Sequence, residues 1–413
     1  MKALSLACLA CLLGAHVVCA APAAEDISAL RQEVQQLTAT VRDLSALVQA
    51  QQQRINMLEQ AKAPLAPAAA APAAAVRQSA AGANLSAFNP EIGVLADIVG
   101  QLSESSTDGE GNDKLSAREM ELVFGHPIDP YSRLDVTASF SDFEAANLEE
   151  AYITHWGLPA ELKARVGRLK PKIGKAIPLH RDSLDTVDEP LVVQKYFGNE
   201  GLARTGVDLS GFLPMPWTAV THELTAGVLE GGVGEGGTLL GGTRRYPSYY
   251  AHLKNFWDLS DETNVELGAT YFTGSKDADR ALEVHALGFD ATLVHYLTPT
   301  NKLKWQNEVY LQDRDETDFQ DRPWGWYSLL DYRLSPRFGV GGRFDYVEPV
   351  DTDPAILARH ADTAWSGYLT YYQSEFSRWR LQLKHTNFAL GGDDNTVFLQ
   401  GTVAIGVHKH QLQ

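Results

Sequence analysis

The sequence predicts an all-β fold, a transmembrane antiparallel β-barrel of about 16 strands, preceded by an N-terminal α-helical coiled coil. Three features predict it. Segments with alternating polar and apolar residues recur along most of the chain, short and long connections alternate between them, and a heptad repeat lies near the N terminus. With 44% hydrophobic and 21% charged residues in 413, the chain is too apolar to be disordered. A formal net charge of -17 excludes nucleic acid as the main partner.

Residues 1–20 predict a secretory signal peptide. Lys2 precedes an apolar run that ends at Ala20, and cleavage after Ala20 is favoured over lipoprotein processing at Cys19, because Val18 stands where processing needs a small residue. Every cysteine of the chain lies in this segment, so the mature protein is expected to have neither a disulfide nor a Cys-ligated metal. No later apolar run reaches the roughly 18 to 20 residues of a membrane helix, so any membrane crossing must use strands.

Residues 25–60 predict a coiled coil in the periplasm. Between residues 27 and 58, nine of the ten seam positions of a heptad ladder are apolar, and Gln51 is the exception. A single helix cannot bury such a stripe, so we expect a homo-oligomer held partly by this segment. An amphipathic helix lying on its own barrel or on lipid is the alternative, and the ladder does not decide between dimer and trimer.

Residues 61–84 are rich in Ala and Pro and predict an extended linker, which marks a domain boundary. Residues 85–413 then alternate with a period of two. Arg378, Arg380 and Gln382, for example, alternate with Trp379 and Leu381. The sequence predicts sixteen such strands, at about 91–103, 115–126, 131–142, 147–157, 161–170, 206–213, 217–229, 248–259, 263–274, 281–296, 302–313, 324–334, 338–348, 363–373, 377–388 and 396–407.

The connections between these strands predict an outer-membrane barrel. Those after even-numbered strands are tight, and those after odd-numbered strands are mostly longer and acidic or rich in glycine, as in barrels with short periplasmic turns and long outer loops. An even strand count leaves both termini in the periplasm. The expected partners are outer-membrane lipid and lipopolysaccharide. The acidic outer loops either contact ion-bridged lipopolysaccharide or weakly bind a divalent cation, and no other cofactor is expected.

The long insertion at 171–205 is the candidate constriction of the pore. Basic residues lie on the strand before it and acidic residues follow within it, so a loop folded into the lumen would set acids across from a basic wall and create a transverse field. The alternative is a solvated outer loop. The strand at 377–388 supplies a second basic wall if its polar face is luminal. The candidate residues are Lys163, Arg165, Arg168, Lys170, Asp182, Asp185, Asp188, Glu189, Arg378 and Arg380.

Histidine supplies the candidate metal ligands. His408 and His410 lie two apart at the end of the chain, and in an extended strand both side chains face the same way and can share a zinc ion. A frayed polar tail is the commoner explanation of such a pair. His180 lies in the long insertion.

Sixteen strands leave an aqueous lumen, so passive passage of small hydrophilic solutes or ions is the expected function. The chain has no Gly-x-Ser-x-Gly elbow or other catalytic motif, so we expect no enzyme activity. A channel or receptor for uptake of a divalent metal such as zinc, and a non-conducting structural barrel, are the alternatives.

The combination of a secretion signal, a periplasmic coiled coil and a sixteen-stranded barrel resembles the general and phosphate-selective porin group. The stretch from Pro190 to Leu202, the stretch from Gly206 to Gly211 and the end from Gly406 to His410 are similar to an uncharacterised family of proteobacterial outer-membrane proteins described as zinc-regulated. This resemblance implies a bacterial outer-membrane location and a link to zinc.

Overall fold

The computed structural model describes residues 90–104, 113–142, 146–317, 319–350, 352 and 354–406. The predicted signal peptide, coiled coil and linker lie outside the described residues, as do His408 and His410. The domain boundaries and the oligomer therefore stay predictions.

The described residues form one closed antiparallel sheet, in which each strand pairs with its neighbours along the chain and β1 pairs with both β2 and β17. The strands are β1 (Glu91–Ser103), β2 (Lys114–Asp129), β3 (Ser132–Phe140), β4 (Asn147–His155), β5 (Lys163–Leu169), β6 (Arg204–Phe212), β7 (Thr221–Leu229), β8 (Ser248–Ser260), β9 (Thr263–Ser275), β10 (Glu283–Tyr296), β11 (Lys302–Asp315), β12 (Gln320–Asp321), β13 (Trp324–Ser335), β14 (Phe338–Val347), β15 (Asp362–Ser374), β16 (Ser377–Asn387) and β17 (Asp393–Gly406). Because β12 has two residues and β11 also pairs directly with β13, sixteen strands build the wall, which confirms the predicted barrel.

The two ends of the barrel differ as predicted. The turns that join β2 to β3, β8 to β9, β13 to β14 and β15 to β16 are a few residues long, whereas the longest connections join β5 to β6, β7 to β8 and β14 to β15 at the other end. Within the described residues, helical structure is confined to the six-residue helix α1 (Leu191–Tyr196) and to the 3-10 segments Pro159–Glu161, Arg181–Ser183 and Pro354–Ile356. None of the helices in the described part of the chain is long and apolar enough to cross a bilayer.

The faces of the barrel are inverted relative to a water-soluble protein. On β16, Arg378 and Arg380 are buried, whereas Trp379 is 45% exposed and Leu381 is 44% exposed. The same alternation occurs on most strands, so large apolar side chains point outward and charged side chains point inward. A water-soluble barrel would bury its apolar side chains instead, so this arrangement fits a wall that faces lipid.

Candidate functional site

The segment 170–203 between β5 and β6 lies inside the barrel. Inward-facing side chains on widely separated strands bind its backbone: Arg118 on β2 donates to the Val187 carbonyl at 2.6 Å, and Glu308 on β11 accepts from the Ala176 amide at 2.9 Å. A loop that reaches wall residues on so many sides crosses the lumen. We call this segment the inner loop.

The inner loop starts where β5 ends abruptly. Gly167 has a φ of +136°, and a Cβ at this position would lie 2.2 Å from the Ala151 carbonyl oxygen, so a larger side chain is excluded. The ladder between β5 and β6 closes with the pair Leu169 and Arg204, so the loop leaves and returns at adjacent points of the wall.

One side of the inner loop packs on the wall through an apolar core. Val192 in α1 and Phe197 after it are fully buried. The ring of Phe197 lies 4.9 Å from that of Tyr310 and 6.2 Å from that of Phe272, in edge-to-face geometry. This core fixes the loop as a rigid element of the lumen rather than a solvated segment.

The acidic part of the inner loop docks on β11, β14 and β16. Asp185 pairs with Lys304. The Asp188 carboxylate lies 2.6 Å from Lys384 Nζ and 3.2 Å from Arg343 Nη2. The acids therefore touch basic side chains directly instead of facing them across an open gap.

Arg343 is the most heavily bonded of these basic residues and is 1% exposed. Its guanidinium donates to the Asp345 carboxylate at 2.7 Å, to the Asp188 carbonyl at 2.7 Å and to the Glu189 carbonyl at 3.1 Å. It thus holds the loop through both charge and backbone geometry.

Arg378 and Arg380 bind the loop backbone. Arg378 donates to the Asp182 carbonyl at 2.5 Å, and Arg380 donates to the Leu184 carbonyl at 2.8 Å. Both side chains are luminal and belong to the second basic wall that the sequence predicts.

The basic residues around β5 make no ion pair with Asp185 or Asp188. Arg165 pairs with Asp208 on β6 at 2.5 Å, and Arg168 donates to the Leu148 carbonyl at 2.6 Å. Lys170 Nζ donates to the Leu179 carbonyl at 2.8 Å, and Lys163 lies next to the Lys172 ammonium group. The role of the predicted residues as a pore constriction stays a prediction.

Docking shifts the ionisation of the loop carboxyls. Burial raises the pKa of Asp188, but Arg343 and Lys384 outweigh it and hold this pKa well below its usual range. Burial also raises the pKa of Glu189, and here the nearby cations do not compensate, so its pKa reaches about 7. The pKa of Asp188 is therefore lowered and that of Glu189 raised, so a rise in pH disfavours docking through Glu189 and a fall in pH disfavours it through Asp188.

Glu189 predicts pH-dependent docking of the inner loop. Its pKa rises from 4.5 to about 7 on docking, so its contribution to docking is full below about pH 4.5 and is lost as the pH rises to about 7. We expect the amides of the loop to exchange hydrogen faster at pH 8 than at pH 5, after correction for intrinsic rates. The variant Glu189→Gln should flatten this difference, and an unchanged profile in that variant would contradict the assignment. The contribution of Asp188 to docking is lost in the opposite direction, as the pH falls, and this loss begins only below about pH 4.

His180 lies where the inner loop meets β2 and β4. Its Nδ1 is 2.9 Å from a Glu149 oxygen and 3.3 Å from a Glu121 oxygen, and its Nε2 is 2.9 Å from a Glu150 oxygen. Burial and the Lys170 ammonium lower the pKa of His180, but hydrogen bonds to the three carboxylates outweigh them and raise it well above its ordinary value. Among the described residues, Glu121, Glu149 and His180 form the one group of three or more side chains placed to hold a metal ion.

Two cavities lie inside the barrel beside the inner loop. The first, about 500 Å³, is near the long connections and is lined by the charged residues Glu149, Arg168, Lys170, Arg181, Glu200, Arg204, Glu235 and Arg244. The second, about 270 Å³, is nearer the short turns and is lined by the titratable residues Lys172, Lys175, Glu223, His252, Lys254 and Glu266. We call them the loop-end cavity and the turn-end cavity.

Sequence reasoning missed several residues that bind the inner loop. Arg343, Lys304 and Glu308 all lie on the polar face of strands whose alternation is plain in the sequence. That alternation marks them as luminal but does not separate them from the other luminal residues. The sequence did not identify Glu149 and Glu150 as luminal together, because adjacent residues on a regular strand face opposite sides.

Comparison with known proteins identifies the barrel type. No protein-family model matches the chain. An uncharacterised protein of Aquifex aeolicus is 24% identical over 337 residues, which cover 73% of this chain and 71% of that protein. The structure is similar to the outer membrane channel DcaP of Acinetobacter baumannii, with a TM-score of 0.53 and 11% identity over 77% of this chain and 96% of that one.

Two further solved structures are similar to a comparable degree. OprB of Pseudomonas putida, in its high-pH structure, has a TM-score of 0.52 and 10% identity over 77% of this chain and 94% of that one. An anion-selective porin from Comamonas acidovorans has a TM-score of 0.51 and 10% identity over 77% of this chain and 100% of that one. The chain therefore has the fold of outer-membrane porins. The resemblance to a zinc-regulated family stays a prediction.

Proposed function

We propose that the protein is an outer-membrane channel through which small hydrophilic solutes diffuse passively, with a preference for anions. The observation that carries the proposal is a polar lumen that one inward-folded loop narrows. Cavities of about 500 Å³ and 270 Å³ remain beside this loop. Sixteen strands enclose a water-filled lumen in barrels of this type, and a loop within it sets the size and charge of what passes.

The charge of the cavities supports the preference for anions. In the loop-end cavity, five of the charged lining residues are basic and three are acidic. In the turn-end cavity, three lysines face two glutamates. The chain as a whole has a net charge of -17, so the cavities have the opposite sign to the molecule. A low-dielectric wall strengthens the effect of such local charge on a passing ion.

The experiment is conductance of the purified full-length protein in a planar bilayer. We expect stepwise currents and a reversal potential that favours chloride over potassium in a salt gradient. In the double variant Arg204→Glu and Arg244→Glu, we expect the ratio of anion to cation permeability to fall about two- to fivefold, because both side chains line the loop-end cavity.

Arg322→Glu is the matched control. This arginine is 70% exposed, pairs with Asp313, and lines neither cavity. We expect its permeability ratio to equal that of the wild type. An equal effect of both variants would assign the selectivity to the general surface charge. Absence of stepwise current in the wild type would favour the non-conducting structural barrel.

Uptake of a divalent metal is the second candidate, and the buried group around His180 favours it. Block of the current by low concentrations of Zn²⁺ would support this alternative. We also propose that the protein lies in the outer membrane, contacts lipopolysaccharide and assembles into an oligomer through residues 27–58.

A further inference from the structure

Five titratable side chains meet inside the barrel where the inner loop touches the wall. Glu119 and Glu121 come from β2, Glu149 and Glu150 come from β4, and His180 comes from the loop. All five are at most 6% exposed. Four carboxylates thus surround one imidazole in a buried site. We call these five residues the glutamate cluster.

A β-bulge builds this cluster. Thr137 on β3 pairs with Glu150 and the next residue, Ala138, pairs with Leu148, so Glu149 is an extra residue on β4. The bulge turns two consecutive glutamates into the lumen, which a regular strand cannot do. Bulges of this kind recur next to functional sites because they re-aim a side chain.

Buried oxygen atoms of the cluster have no hydrogen-bond partner among the described residues. Glu119 Oε2 and Glu149 Oε1 are buried and accept no hydrogen bond from the described residues. The carboxyl groups of Glu119 and Glu149 are also close neighbours of each other. Two adjacent buried carboxyls with unused oxygens repel unless a proton or a cation lies between them.

The lysine and arginine side chains nearest the cluster do not pair with its carboxylates. Lys170 Nζ donates to the Leu179 carbonyl at 2.8 Å and lies 3.4 Å from the Glu200 carbonyl. Arg181 pairs with the Glu200 carboxylate at 3.1 Å. Their head groups are directed at other partners, and a protonated His180 offsets only one carboxylate charge, so the cluster keeps an excess of negative charge.

The distances within the cluster fit metal coordination. Ligand atoms of Glu121, Glu149 and His180 all lie within 4.8 Å of one another. In a tetrahedral site with bonds of about 2.0–2.1 Å, neighbouring ligand atoms are about 3.3 Å apart. His180 Nδ1 is 3.3 Å from Glu121 and 2.9 Å from Glu149, so small side-chain shifts suffice to admit an ion.

Glu150 has the position of an orienting partner. It lies 2.9 Å from His180 Nε2, on the side of the ring opposite to the other two carboxylates. A carboxylate that accepts the distal N–H of a metal-bound histidine fixes its tautomer and increases its basicity.

We propose that Glu121, Glu149 and His180 bind one divalent transition-metal ion, with Glu119 as an additional oxygen ligand and Glu150 orienting His180. The imidazole favours a transition metal such as Zn²⁺ over Ca²⁺ or Mg²⁺. Because the ligands come from β2, β4 and the inner loop, the ion ties the loop to the wall. This site goes beyond the proposed channel function and does not depend on conduction.

The site borders the loop-end cavity of about 500 Å³, which Glu149 lines. An ion can therefore reach the cluster without unfolding of the barrel, as a metal site requires.

The test uses the full-length protein, stripped of metal with a chelator and titrated with Zn²⁺ by calorimetry. We expect tight binding of one ion per chain. The variant Glu150→Gln should weaken this binding about 10- to 100-fold, as loss of an orienting partner does, and Glu121→Gln with Glu149→Gln should abolish it. Circular dichroism confirms that each variant retains its strands. Proteolysis of the inner loop should slow on addition of Zn²⁺ in the wild type, but not in the variant Glu121→Gln with Glu149→Gln.

His252→Ala is the matched control, because this histidine is buried in the lumen but bonds to the Thr270 hydroxyl at 2.8 Å, outside the cluster. A second control, His408→Ala with His410→Ala, tests the other candidate ligands. Both should retain the tight Zn²⁺ site. The proposal is overturned if the wild type binds no Zn²⁺, if the cluster variants bind it as tightly as the wild type, or if Ca²⁺ competes equally with Zn²⁺.

Discussion

Excision of the inner loop is expected to increase the single-channel conductance about threefold or more, because a sixteen-stranded wall without an inward loop encloses a wide aqueous lumen. The excision replaces residues 172–201 by a short glycine-serine turn. Leu169 and Arg204 are paired neighbours in the ladder, so the wall can close over the deletion without strain. The measurement is the step size of single channels in a planar bilayer at fixed salt.

The excised channel should keep its preference for anions, because gains and losses of positive charge offset each other. Removal of Asp185 and Asp188 leaves Lys304, Arg343 and Lys384 on the wall without these partners, whereas the same deletion takes two lysines from the turn-end cavity. Shortening of the exposed connection between β14 and β15 is the control, and it should change neither conductance nor selectivity. Equal step sizes with and without the inner loop would remove it as the constriction. Conduction by the excised channel alone would make the loop a plug and contradict passive diffusion through the wild type.

The wall of the barrel could be predicted from the sequence because its two faces differ in chemistry. The segment predicted at 263–274 is the strand Thr263–Ser275, and that predicted at 338–348 is Phe338–Val347. A period of two follows directly from the geometry of a strand, so lipid on one side and water on the other leave a readable pattern. The bounds of the predicted strands differ from the observed ones at the strand ends, where that contrast fades, and the two-residue strand β12 was not predicted.

The path of the inner loop could not be predicted in the same way. Its position depends on contacts between residues far apart in sequence, such as the Val187 amide with the Gln382 side chain at 2.7 Å. No local period records such a contact. The acids of the loop could be named from the sequence, but their partners could not, since Arg343 looks like any other luminal arginine.

The glutamate cluster shows a second limit. Local alternation places Glu149 and Glu150 on opposite faces, whereas the bulge at Glu149 places both inside. A bulge is set by the pairing with the neighbouring strand, which the sequence of one strand does not contain.

Substitution of Arg343 by methionine is expected to have the largest effect of any single change on docking of the inner loop. It leaves Asp345 buried without the guanidinium that it accepts from, and it frees the carbonyls of Asp188 and Glu189. Loss of one partner of a buried ion pair costs about 3–5 kcal/mol, so the loop should open far more often while the strands remain paired. Hydrogen exchange of the amides at 184–191 measures this opening, and bilayer currents should become noisier.

Two further variants separate the loss of an ion pair from the loss of a charge. Arg322→Ala breaks an exposed pair with Asp313 and should cost about 1 kcal/mol or less, with no change in loop exchange. Arg343→Met combined with Asp345→Asn removes the stranded carboxylate as well, so it should recover part of the docking energy lost in the single variant. Recovery would mean that the unpaired charge, rather than the missing hydrogen bonds to the loop, dominates the penalty. If Arg343→Met exchanges at the rate of the wild type, the loop is held by its apolar core around Phe197 and not by the charges that join it to β14.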